Sequence, residues 1–92
     1  MNRYFIEFLG TMFLMFVVLA TENWIAIGAA VAICILLASP ISVAAFNPAV
    51  VISLYAAGKI PKSDVLPYVI VEILGALAAF YVYKKYVNNV QV

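Results

Sequence analysis

The chain contains no histidine and a single cysteine, Cys34, among its 92 residues. One cysteine excludes an intrachain disulfide, and without histidine a metal site would lack its commonest ligand. Charge is scarce too: five basic and four acidic side chains leave a net charge of +1. That balance gives no electrostatic case for nucleic acid or an acidic substrate. No nucleophile paired with a base and no glycine-rich phosphate loop can be traced, so neither an enzyme nor a cofactor site is expected.

Apolar residues fill the space left by charge. They make up 68% of the chain, against 10% charged. A soluble domain of this length could not hide so much apolar surface, so the expected solvent is lipid. The reading is one domain over residues 1–92, an all-α membrane protein of three transmembrane helices plus one re-entrant half-helix. No cleavable signal peptide is expected, because the first apolar run is too long and no small-residue cleavage region follows it.

The first span is expected from about Tyr4 to Thr21, with Glu7 as its only charge and Gly10-Thr11 one turn further on. A short polar link, Glu22-Asn23, leads to Trp24, a residue suited to the membrane interface. The second span runs from Trp24 to about Ser39, where Pro40 stops it; Gly28 and Ala32 form a small-xxx-small face for close helix packing. After the polar segment Lys59 to Asp64, Ser63 reads as the N-cap of the third span, and Asp64 suits the positive end of the helix dipole. Pro67 is expected in the first turn. That span, about 64–83, carries the small pair Gly75 and Ala79 and ends at Lys84-Lys85 beside Tyr81, Tyr83 and Tyr86. Val87 to Val92 reads as a frayed tail.

Between the second and third spans lies the most informative stretch, Phe46-Asn47-Pro48-Ala49-Val50. Asn47 is a strong N-cap, Pro48 fits the first helical position, and Gly58 is a natural stop. The helix between them, 48–57, has about ten residues and spans roughly 15 Å, half of a ~30 Å hydrocarbon core. A helix that begins in mid-membrane exposes its N-terminal N–H groups there, which is tolerated only against protein or a cavity. Ile41 to Phe46 is then a loop descending to it.

Glu7-Phe8-Leu9-Gly10-Thr11, Phe46-Asn47-Pro48-Ala49-Val50, Gly58-Lys59-Ile60 and Gly75-Ala76 together resemble the N-terminal half of an aquaporin. The aquaporins and glycerol facilitators carry E-x-x-G-T, N-P-A-V, G-x-[IF] and Q-x-x-G-A in this order, so the resemblance covers nearly the whole chain. It implies a channel for water or small neutral solutes made of two halves inverted about the membrane midplane. By that resemblance Asn47 orients a passing water, and Pro48 and Ala49 lock the two loops together. Glu7 corresponds to a structural carboxylate that accepts hydrogen bonds from the re-entrant loop.

The chain also departs from the family pattern. Only one half is present, so a second half is expected from a homo-oligomer or from another half-channel chain. Val50 stands where the second family motif is followed by the filter arginine, and Ile27 aligns with the filter aromatic. With a second copy, Ile35, Ala44 and Val50 would meet Ile27 as an apolar constriction at each mouth. Glu72 replaces a glutamine; it is expected either to stay protonated or to pair with backbone groups of the loop. Cys34, two turns beyond Ile27, reads more readily as helix- or lipid-facing than as pore-lining.

Three function classes follow: a channel of two halves, a proton-coupled exporter using Glu7, and a non-conducting half that regulates other channels. The re-entrant segment favours the first. Arg3, Lys59 and Lys62 fall on one side and Lys84 and Lys85 on the other, almost no positive-inside bias. Such a chain is able to insert both ways and pair with itself antiparallel. A topology reporter on the C-terminus should therefore appear on both sides of the membrane; one orientation alone would exclude inverted self-pairing.

Overall fold

The computed structural model describes residues 2–88, which hold helices and no strand. Helix α1, Arg3–Thr21, is capped by Asn2, whose Oδ1 accepts the N–H groups of Tyr4 at 2.7 Å and Phe5 at 3.3 Å. Glu22 ends it in the left-handed region at φ 47°. The next residue, Asn23, already caps α2, Trp24–Ala38, by accepting from Ile25 and Ala26 at 3.0 Å. Two polar residues thus reverse the chain within one link. The short helix α3, Pro48–Ala56, ends at Gly58, whose φ of +75° suits a residue without a side chain. Helix α4, Lys62–Val82, continues into a π-helical turn, Tyr83–Asn88.

Three local expectations are corrected. Pro61, not Ser63, occupies the N-cap of α4, and no side chain caps that end; Ser63 is the second helical residue. Pro67 is consequently the sixth residue and lies inside the helix, beyond the first turn. Its missing N–H leaves the Ser63 carbonyl without the usual partner four residues on. At the other end Val87 and Asn88 complete the π-helical turn and are not frayed, while 89–92 lie outside the described residues.

Helices α1 and α4 are long and apolar enough to cross a membrane, and α2 is a shorter apolar helix. The 41 Å long axis of the molecule fits a ~30 Å hydrocarbon core with its interfaces. Helices α1 and α4 run parallel in close register. Arg3 Nη2 meets Asp64 Oδ1 at 3.1 Å, and the Tyr4 and Tyr68 rings cross edge to face at 5.0 Å. Higher up, Gly75 lies against Phe8 and Thr11, so near that a Cβ on Gly75 would come within 2.6 Å of the Phe8 carbonyl. Helix α2 returns antiparallel, its Cys34 Sγ donating to the Gly10 carbonyl at 3.8 Å.

Apolar packing forms two clusters. Leu14, Ala30, Cys34, Ala38 and Phe46 pack between α1 and α2, while Val51, Ile60 and Tyr68 join α3 to α4. Between these lies a polar layer of Glu7, Thr11 and Glu72, none more than 2% exposed. The two small-residue pairs fare differently. Gly75 and Ala79 are buried against α1, whereas Gly28 and Ala32 are exposed and Gly28 meets nothing within 4 Å. The α2 pair therefore packs no helix of its own chain.

Gly75→Ala forces backbone apart, because the contact is a carbonyl and not a flexible side chain. It should destabilise the monomer by about 1–3 kcal/mol, while Gly28→Ala leaves it unchanged. Unfolding midpoints in mixed detergent micelles measure the difference.

Candidate functional site

The segment from Ser39 to Phe46 has no regular structure beyond a tight turn, in which Ile41 and Ser42 donate to the Ala38 carbonyl at 2.8 Å. Glu7 anchors the rest. Ser42 Oγ donates to Glu7 Oε2 at 2.6 Å, and the Phe46 N–H donates to Glu7 Oε1 at 2.9 Å. Ser42 Oγ in turn accepts the Ala44 N–H at 3.0 Å. One buried carboxylate thus clasps both ends of a five-residue loop, Ser42 to Phe46. The clasp holds an unfavourable backbone: Ala44 at φ 52° and Phe46 at φ 54° are both left-handed. Each such residue costs on the order of 1–2 kcal/mol.

Gly10 makes room for the Phe46 ring. A Cβ there would overlap the ring, which is itself only 3% exposed. This contact sets the height of the loop. Gly10 lies about 10 Å along the ~28 Å length of α1, so Phe46 and the start of α3 sit about a third of the way along that helix. From there α3 runs toward the end of the molecule where Arg3 and Asp64 pair, since Val51 packs with Ile60, Tyr68 and Tyr4.

Asn47 occupies the N-cap of α3 and Pro48 its first turn. The Asn47 Oδ1 accepts the Ala49 N–H at 2.9 Å, and its carbonyl accepts the Val51 N–H at 3.1 Å. With Oδ1 committed to the cap, Nδ2 is left as the outward end of the amide on an exposed residue. None of the carbonyls from Val43 to Phe46 accepts a hydrogen bond from the described residues. The loop therefore combines an amide donor with a short run of acceptors.

The four constriction candidates separate into two pairs within one chain. Ile27 and Ala44 pack partly buried against the α1–α2 cluster. Ile35 and Val50 are 42% and 40% exposed. Cys34 is buried and turned to α1, on the helix-facing side. Glu72 pairs with no backbone group of the loop: both its oxygens lack a hydrogen-bond partner, as does Thr11 Oγ1. It lies instead on the face of α4 turned to α1, three residues before Gly75, which meets Phe8 and Thr11. Ser42 was absent from the sequence-derived site, although a hydroxyl in the otherwise apolar run Ile41 to Phe46 was the available signal. The Arg3, Tyr4 and Asp64 cluster was not foreseen either; there Tyr4 also donates to Asp64 Oδ1, at 3.2 Å.

An open apolar groove of about 300 Å³ lies between α1 and α2, lined by Leu9, Phe13, Ile33, Leu37 and the Phe46 ring among others. Asn47 does not line it, and its walls suit a lipid chain or a neighbouring helix. Among the described residues no three His, Cys, Asp or Glu side chains gather as a metal site requires.

Glu7→Ala leaves a buried N–H and a half-buried hydroxyl without their acceptor, under a strained loop. A loss of about 2–4 kcal/mol is expected, with faster exchange of the Phe46 amide hydrogen. Glu7→Gln keeps one acceptor oxygen and should lie between. Hydrogen exchange and unfolding midpoints of the three proteins check both expectations.

Comparison with known proteins follows the same residues. The family model described as Major intrinsic protein matches residues 1–92. The glycerol uptake facilitator protein-like 6 of Lactiplantibacillus plantarum is 35% identical over 96% of this chain and 45% of its own length. A probable glycerol uptake facilitator protein of Thermotoga maritima is 40% identical, over 97% of this chain and 46% of its own. Aquaporin AqpM of Methanothermobacter thermautotrophicus is 39% identical over 68% of this chain and 27% of its own. The chain thus spans about half the length of the curated relatives that it matches throughout. No solved structure matches. With the loop clasped by Glu7, the Asn47 cap and a family match over every residue, the chain belongs to the major intrinsic protein family of integral membrane proteins.

Proposed function

We propose that this chain forms one half of a passive channel for water or a small neutral solute, with Asn47-Pro48-Ala49 at the pore centre. The observation that carries the reading is the Asn47 side chain. Its oxygen is fixed by the Ala49 N–H, so its amide donors turn outward at mid-depth, beside a loop whose Val43 to Phe46 carbonyls accept nothing from the described residues. In hydrocarbon, backbone groups of that kind persist only against protein or a water-filled path. A passing hydroxyl or water would find a donor and a ladder of acceptors, and no charge. Half-helices that meet N-terminus to N-terminus would present their positive ends at that point and disfavour cations and protons.

Three transmembrane helices with α3 as a re-entrant half-helix is the arrangement this reading requires, folded as a single half-domain over 1–92. The open surface that includes Asn47, Ala49 and Val50 would face the second half, either an inverted copy or another half-channel chain. Charge placement supports the inverted copy. The pairing of Arg3 with Asp64 sets the starts of α1 and α4 at one end, so Lys59 and Lys62 gather there and Lys84 and Lys85 lie at the other. In such a pair Ile27 of one copy would meet Ile35, Ala44 and Val50 of the other. Relatives named as glycerol facilitators and as an aquaporin support water and glycerol as the first solutes to try. Glu7 supports a scaffolding role over proton coupling, because it is fully buried and both its oxygens already accept.

Proteoliposomes holding only this chain should shrink faster than protein-free liposomes in stopped-flow osmotic measurements, with weak temperature dependence. Asn47→Asp, which puts acceptors where donors stood, should reduce the rate several-fold. Shrinkage no faster than bare lipid, from protein shown to be inserted and helical, would overturn self-sufficient conduction.

A further inference from the structure

Glu7 and Glu72, both fully buried, face each other across the α1–α4 contact, between the Tyr4–Tyr68 pair and the approach of Gly75 to Phe8 and Thr11, and no cation among the described residues lies there to neutralise two negative charges. Around them α1 contributes Tyr4 and the Thr11 hydroxyl, α2 the Cys34 thiol, α4 Tyr68 one turn earlier, and the loop Ser42. None of these is a cation. Arg3 and Asp64 pair with each other at the helix ends, about 12 Å along α4 from Glu72. Two adjacent carboxylates taken out of water without a countercharge are strongly disfavoured.

The donors decide which of the two needs a proton. Both Glu7 oxygens already accept, from Ser42 O–H and Phe46 N–H. Glu72 receives no donor at either oxygen. We propose that Glu72 is a neutral carboxylic acid at neutral pH and that its O–H donates to the Glu7 carboxylate. One proton then completes a chain of hydrogen bonds from Phe46 through Glu7 to Glu72, tying the loop and α1 to α4. Glu72 is a positioning residue: it holds the acceptor that holds the loop. This bond between helices would form whether or not the chain conducts.

Infrared spectra of the full chain in membranes at neutral pH should show a carboxylic-acid carbonyl band that shifts in heavy water and is absent from Glu72→Gln. Glu72→Gln offers an N–H in place of the O–H and should keep the unfolding midpoint; Glu72→Leu, without a donor, should lower it. Carboxyl carbon NMR of the glutamate-labelled wild type needs no variant: of its three glutamates, Glu7, Glu22 and Glu72, one should be neutral. Three ionised glutamates, or an acid band that survives Glu72→Gln, would overturn the proposal.

Discussion

A loop without regular structure must find partners for its backbone inside the protein, and in this chain a single buried carboxylate takes on that task. Glu7 reaches from the first helix to accept from Ser42 and Phe46. The rest of the architecture is arranged to make that reach possible. Gly10 clears a seat for the Phe46 ring, and Gly75 lets α4 approach until its backbone nearly touches the Phe8 carbonyl. Ala44 and Phe46 adopt left-handed conformations that neither would choose alone. Their strain is held by contacts made elsewhere, and the outcome is the placement of Asn47.

The interior of the molecule inverts the soluble pattern. Its least exposed residues include Glu7, Thr11 and Glu72, while Trp24, Leu36 and Leu37 are among the most exposed of the large apolar ones. In a bilayer this is the expected economy, because lipid tails offer apolar side chains as good a solvent as a protein core does. Helices then associate through small residues that allow close approach and through hydrogen bonds. The α1–α4 contact uses both, with Gly75 and Ala79 along its length and the Arg3 and Tyr4 side chains donating to Asp64 at its end. The α1–α2 contact uses a thiol against a carbonyl and alanines in a row.

Helix α2 presents a different surface. Gly28 and Ala32 face away from the chain's other helices, as do Ile35 and Leu36. Asn47, Ala49 and Val50 are exposed as well. The chain spans less than half the length of these relatives, so its own contacts account for only part of the packing that they contain. The residues left open here are those that the proposed second half would cover.

Local rules determined much of what was legible in the residues. The asparagine caps at Asn2, Asn23 and Asn47, the proline at the start of α3 and the left-handed Gly58 depend on neighbours within a few positions. Four short motifs in order were enough to place the family. Local rules failed at Ser63 and Pro67, where the helix began earlier than its capping chemistry indicates because tertiary packing, including the Arg3–Asp64 contact, overrides a weak end preference. Which small pair packs, Gly75 with Ala79 and not Gly28 with Ala32, was equally beyond sequence, since both pairs have the same spacing. So was the burial of Glu72 without a donor at either oxygen, because a carboxyl's surroundings are set by which helix faces it. The sequence by itself determined the helices, the membrane and the position of Asn47 at a helix start. Only the tertiary structure decided that Ser42 and Phe46 close on Glu7 and that Glu72 stands behind it, because those contacts join residues 35 or more positions apart.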